Sequence, residues 1–339
     1  MGNAVKSKLK MLYIMKMLYE KTDESNRMST AQIISFLERN GISAERRSIY
    51  DDIETLRQFG MDILYSKEPP AGYFLASRSF EIPELKLLVD AVQASRFITK
   101  AKSAQLIAKL EKLASASDAK RLNRHVYVMD RVKTPNEDIY YNVDMIHEAM
   151  LSDREICFTY YRWNADKELM PRNSGKPFNV SPWALTWDDE NYYLVAFDSR
   201  AGKVKHYRVD KMRHMSISED SREGRESFSE FDLPGFSRKT FGMFGGRTEK
   251  VTILCREKLV GAVIDRFGTD AVIVNLQNGW FQMQQEVTIS EQFFGWVFGL
   301  GEDVKLAGPG SVVKEFQEMI ESIRNLYPQG QRREKELYL

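Results

Sequence analysis

Apolar residues recur at helical spacing three times before the chain first alternates. Over residues 6–20, Leu9, Leu12, Tyr13, Met15, Lys16 and Tyr19 form a broad stripe flanked by lysines, which predicts a first amphipathic helix. Ser29 opens a second helix with Gln32 three residues on, the spacing of a capping box; Ile33, Phe36 and Leu37 supply its buried face and Asn40-Gly41 its end. From Ser43 to Phe59, Ile49, Ile53 and Leu56 make one stripe, with Arg47, Asp51, Glu54 and Gln58 opposite and Tyr50 beside them. Ser43 is the expected N-cap of this third helix, and Gly60 the left-handed residue that closes it. Residues 61–66 and 72–77 then alternate as strands around Lys67-Glu68-Pro69-Pro70-Ala71-Gly72. Three helices and a two-stranded hairpin predict a winged helix-turn-helix, with the third helix entering a DNA major groove.

Residues 83–98 and 104–115 read as two connector helices with Leu85, Leu88, Val89, Val92 and Phe97 on one side, a candidate dimer surface. A helix over 142–151 leads into four or five short strands between about Glu155 and Ser218, punctuated by Asp188-Asp189-Glu190 and Arg200-Ala201-Gly202, which suits a small SH3-like barrel. Phe228 to Gly246 reads as a loose linker. The remainder alternates strand, helix, strand, strand, helix, strand and a last helix over 311–327, the ferredoxin-like pattern.

At 339 residues the chain has room for two or three domains, and its formal net charge of +1 gives no global signal for nucleic acid. DNA contact therefore rests on local patches. Cys157 and Cys255 lie far apart in strand-like segments and read as reduced core residues. No apolar run has membrane-spanning length, so the expected location is the cytoplasm.

Catalysis finds little support. His125, His147, His206 and His214 are scattered without metal-ligand spacing, and there is no G-x-S-x-G, phosphate-binding loop or dinucleotide fingerprint. The reading is a non-enzyme with no cofactor, no metal site and no catalytic residues. Asp52 is most simply structural. The basic stretch with Lys120, Arg121, Arg124, Arg131 and Lys133 against Asp130 is most simply a solvated linker. His206 and Arg208 alternate onto one strand face, and Tyr193 on the preceding strand can sit beside them; a cationic pair next to a ring suits a phosphate and a stacked base. The plainer reading has Tyr193 in the core and Arg208 paired with Asp210 or with a surface acid.

Residues 42–63, with Ser43, Arg47, Ser48, Ile49, Asp52, Ile53, Leu56 and Gly60, resemble the winged helix of WYL-domain transcriptional regulators, shared with DeoR-type repressors. Asp51 stands where that pattern often has arginine; an aspartate there can accept from cytosine N4. Ser181-Pro182-Trp183-Ala184-Leu185, Tyr192 to Asp198 and Tyr207 to Met212 resemble the WYL module in order and spacing, with Tyr192-Tyr193-Leu194 for Trp-Tyr-Leu and Lys211 for the usual arginine. The last segment resembles the family's C-terminal WCX extension.

The resemblance implies an α+β multidomain chain: winged helix-turn-helix over 1–78, helical connector 79–140, WYL sensor 141–225, linker 226–247, ferredoxin-like extension 248–328 and a tail. It implies a regulator, expected as a homodimer, that reads double-stranded DNA through Arg46, Arg47, Ser48, Tyr50, Asp51, Arg57 and Lys67, the lysines of the first helix contacting the backbone. The WYL domain would sense a nucleotide or single-stranded oligonucleotide through Tyr193, His206, Arg208 and Lys211. The alternative is a single-stranded nucleic-acid-binding accessory protein without operator specificity.

Overall fold

The computed structural model describes residues 3–122, 133–188, 190–229, 239–243 and 245–327. The chain forms two compact units, Met1–Ile139 and Tyr140–Leu339. Arg124, His125, Asp130, Arg131, Asp189 and the tail from 329 on lie outside the described residues.

In the first unit, α1 (Asn3–Lys21), α2 (Thr30–Arg39) and α3 (Arg46–Gln58) precede a hairpin of β1 (Ile63–Ser66) and β2 (Gly72–Leu75). The capping box is present: Ser29 Oγ accepts from the Gln32 amide, and the Gln32 side chain accepts from the Ser29 amide. The stripe of α1 differs from the predicted one. Ile14, Met17 and Leu18 are fully buried with Ile33, Leu37, Ile49 and Ile53, whereas Leu12 and Tyr19 are exposed. The start of α3 also differs. Ala44 and Glu45 continue the extended connection, Glu45 takes the N-cap place without a side-chain hydrogen bond, and Ser43 stands outside the helix. Gly60 closes it at φ +104°, as its left-handed role requires.

Met28 adds a bridge to β2, its amide donating to the Tyr73 carbonyl at 2.9 Å and its carbonyl accepting at 2.8 Å. The connector has three helices where two are predicted: α4 (Ile82–Ala94), α5 (Lys100–Glu111) and α6 (Ala116–Leu122). Leu85, Val89 and Phe97 are buried as expected, but Leu88 is exposed. Ser115 fastens α6 back to the winged helix, donating to Asp23 Oδ2 at 2.6 Å.

In the second unit, α7 (Ile139–Leu151) precedes β3 (Arg154–Trp163), β4 (Leu169–Pro171), β5 (Phe178–Asp188), β6 (Asn191–Asp198), β7 (Lys203–Arg208) and β8 (Met212–Ser221). They make one curled antiparallel sheet in the order β4-β3-β5-β6-β7, with β8 on the other side of β3 and a single 3-10 turn, Val209–Lys211, between β7 and β8. Among the described residues no ladder joins β7 to β8; after the 3-10 turn β8 instead returns to pair with β3, the first strand of the sheet. β4 and the length of β8 had no sequence signal.

A short helix, α8 (Arg225–Ser229), follows. The segment read as a loose linker carries Phe241, which is buried in the C-terminal core against Phe267, Phe293 and Trp296. That core sits between a four-stranded sheet and three helices. The elements are β9 (Thr248–Arg256), α9 (Val260–Phe267), β10 (Ile273–Leu276), β11 (Trp280–Thr288), α10 (Glu291–Gly299), β12 (Val304–Gly308) and α11 (Gly310–Asn325). The strand order β10-β11-β9-β12, antiparallel throughout, is that of the ferredoxin-like pattern. Cys255 is buried and Cys157 half-buried in their strands, and both thiols are free.

Candidate nucleic-acid interface and effector pocket

On α3 the first turn presents Arg46 and Arg47 to solvent, and Tyr50 and Asp51 are exposed beside them. With no side-chain cap the first-turn amides are also open, and such amides favour phosphate oxygens. Ser48 is half-buried, and its hydroxyl donates to the Glu45 carbonyl at 2.9 Å. Arg57 lies at the other end of the helix. Its Nε donates to the Ile63 carbonyl at 2.8 Å and it pairs with Glu54 at 3.3 Å, so it braces helix against strand rather than joining the Arg46–Arg47 edge.

Lys67 is exposed at the tip of the hairpin. Arg27, which sequence reasoning passed over, holds that hairpin: it donates to Ser66 Oγ at 2.6 Å and to the Glu68 carbonyl at 3.2 Å. Lys10, expected with the other α1 lysines at the DNA backbone, is instead nearly buried in an ion pair with Asp52 at 2.9 Å.

In the sheet, β6 and β7 pair Tyr193 with Arg208 and Val195 with His206, so Tyr193, His206 and Arg208 share a face as their alternation predicts. On that face Arg208 already has partners. Arg208 forks onto Asp210, Nε to Oδ1 at 3.0 Å and Nη2 to Oδ2 at 2.9 Å, and also donates to Asn191 Oδ1 at 2.8 Å. Burial lowers the affinity of its guanidinium for the proton, but Asp210 more than offsets this and the net shift is upward. Tyr193 is buried, and Lys211 leans over Trp163 with Asp210 Oδ2 at 3.6 Å. Burial alone holds the His206 imidazole down to about 4, so it is neutral at neutral pH.

The opposite face of β7 carries a cavity of about 940 Å³. Here Asp198 pairs across the ladder with Lys203, Ala196 with Lys205 and Leu194 with Tyr207. The floor is aromatic: Tyr160, Phe178 and Tyr207 lie 5.8 to 6.2 Å apart in edge-on contacts with one another. Arg172 reaches over Tyr160 at 5.8 Å, and Arg200, Lys203 and Lys205 line the rest, with His206 bordering. Asp198 is the counter-charge. Burial pushes its carboxyl up, but bonds from Lys205 at 2.6 Å, the Ala201 amide and Tyr207 at 3.2 Å pull it below its ordinary value. Lys205 is thereby neutralised, whereas Arg172, Arg200 and Lys203 make no ion pair among the described residues. Met243, Gly245 and Gly246 complete the wall. The signal for this pocket was the run Lys203-Val204-Lys205-His206-Tyr207, read on its other face.

The WYL domain model matches residues 141–217, the WCX domain model 247–324, and the model of the FokI D3 domain 11–68. The chain thus carries a WYL domain followed by a WCX domain. Curated proteins give no match. Among solved structures, this WYL protein is similar to proteasome accessory factor B/C (PafBC) of Arthrobacter aurescens, at 16% identity and TM-score 0.25 over 97% of this chain and 48% of that one. It thus spans about half of the PafBC chain. It is also similar to a CRISPR Cas-related protein, at 14% identity and TM-score 0.36 over 95% of this chain and 85% of that one. Among the described residues no helix is long and apolar enough to cross a membrane, and no three His, Cys, Asp or Glu gather as metal ligands.

Proposed function

We propose that this WYL protein is a cytoplasmic, dimeric transcriptional regulator that reads duplex DNA with its winged helix and senses a nucleotide or single-stranded oligonucleotide in the sheet pocket. The observation that carries the DNA half is the exposed Arg46–Arg47–Tyr50 edge at the uncapped start of α3, with Lys67 on the wing. Arg47 and Tyr50 suit base edges, and Arg46 and Lys67 suit phosphates. Asp51 beside them offers an acceptor for cytosine N4. A dimer supplies two readers for a palindromic site.

The effector half rests on Arg172, Arg200 and Lys203 around an aromatic floor, a layout that holds phosphates and stacks a base. Within it Tyr193, Arg208 and Lys211 shape the sheet and do not touch the ligand.

The test is selection of duplex fragments from the source genome at near-physiological salt, where non-specific phosphate binding is weak. Recovery of fragments sharing an inverted repeat, lost with Arg47→Ala, is the expected result. Recovery of no shared site from folded protein, with and without single-stranded oligonucleotide present, would sink the reading.

A further inference from the structure

The four-stranded sheet of the C-terminal module has two faces with different chemistry. Its inner face, Val251, Ile253, Cys255, Phe281 and Met283, is buried under α9, α10 and α11. On the outer face the register brings Leu276, Trp280 and Arg256 into one row and Val274, Gln282, Leu254 and Lys305 into the next. Gln284 with Thr252, then Glu286 with Lys250, follow. Lys250, Arg256, Val274, Gln284 and Lys305 are exposed.

We propose that this open face binds single-stranded nucleic acid at a site separate from the sheet pocket. Three features lead there. The Arg256 guanidinium lies 4.5 Å from the Trp280 ring, which together make a flat, cationic stacking platform. Next to it on β11, Gln282 and Gln284 present neutral amides that match base edges. They border a recess of about 240 Å³ with Lys250, Val272 and Val274, and successive outward side chains on the strand stand about 6.6 Å apart.

Charge is the third feature. Lys250, Arg256 and Lys305 stand on a face whose one strand carboxylate among the described residues, Glu286, is paired with Lys239 at 2.8 Å. In a chain of net charge +1 this is a local concentration of cations. The same mixture argues against a second copy as occupant: copy interfaces are depleted in lysine at their centres, and here amides and cations separate the apolar side chains. Unstacked strands are recognised by stacking on an aromatic ring and by hydrogen bonds to base edges, and this face offers both.

The experiment is fluorescence anisotropy of labelled single strands, one DNA and one RNA, with the full chain at near-physiological salt. It is run in an Arg172→Ala/Arg200→Ala/Lys203→Ala background, so that the sheet pocket loses all three cations assigned to its ligand. Binding of either strand in that background, weakened about tenfold by Trp280→Ala and kept by Trp280→Phe, is the expected result, and the arm that binds identifies the strand. Lys250→Glu should weaken it further and flatten its salt dependence. Absence of binding in the pocket-silenced background, or affinity unchanged by Trp280→Ala, overturns the proposal while leaving the pocket reading intact. A fall in molar mass by light scattering on Trp280→Ala also overturns it, since the face would then be a contact between copies.

Discussion

Lys10 and Asp52 face each other at 2.9 Å with 12% and 9% of their side chains exposed. Two charges held so far from water offset each other's desolvation, and removing one strands the other. Asp52→Ala should therefore destabilise the first unit by about 3 kcal/mol, read as a lower urea midpoint, whereas Lys10→Met combined with Asp52→Leu should recover most of that loss. From the sequence Asp52 reads most simply as a structural residue of the helix-turn-helix. The sequence did not mark Lys10, since a partner on another helix leaves no local pattern.

His206 is a second single-residue case. Its folded value of about 4 lies below its ordinary 6.5. Above pH 6.5 neither the folded nor the unfolded imidazole carries a proton, and this contribution to stability is full. As the pH falls from about 6.5 to about 4 only the unfolded chain takes up the proton, so stability is lost across that window. Urea midpoints followed from pH 7 to pH 4 should fall more steeply for the wild type than for His206→Gln, and parallel curves would remove burial of the imidazole as the cause.

Among elements, the wing shows most clearly what a pattern can and cannot carry. The alternation of β1 and β2 and the turn between them were legible, because period two and turn residues are local signals. The third participant, the bridge at Met28, was not: a single pair of backbone bonds has no periodicity. Yet that bridge decides the residue at position 72. A Cβ on Gly72 would stand 2.5 Å from the Met28 carbonyl carbon, and backbone cannot move aside cheaply. Gly72→Ala should cost about 1–3 kcal/mol, seen as a lower thermal midpoint. It should weaken duplex binding as well, because Lys67 would lose its fixed place. The same logic explains the other misses. Ser29 and Gln32 spelled out a cap within four residues, while the start of α3 slipped from Ser43 to Glu45 because the extended connection absorbed two more residues. β4 has only three residues and is held by its pairing with β3, a contact with no trace in its own composition.

At the scale of the whole molecule, the order of modules was legible and the hollow side of the sheet was not. Alternation says that Arg208 and Lys205 point to opposite sides; only the fold says which side is hollow. The distinction has a thermodynamic consequence. If an oligonucleotide in the pocket shifts the balance between two dimer arrangements that bind the operator differently, its effect on operator affinity equals the operator's effect on its own. A coupling of this kind commonly amounts to about 5- to 150-fold. Arg200→Ala/Lys203→Ala should abolish the change in operator affinity on adding oligonucleotide while leaving affinity without it unaltered. Arg208→Ala acts differently. It unties Asp210 and Asn191 inside the sheet, so it should lower the urea midpoint before it alters any ligand response. Anisotropy of a labelled operator duplex, titrated with and without the oligonucleotide for both variants, checks the pair. A drop in effector-free duplex affinity for Arg200→Ala/Lys203→Ala would mean that these cations touch the operator itself, and that the pocket is part of the reader and not a separate sensor.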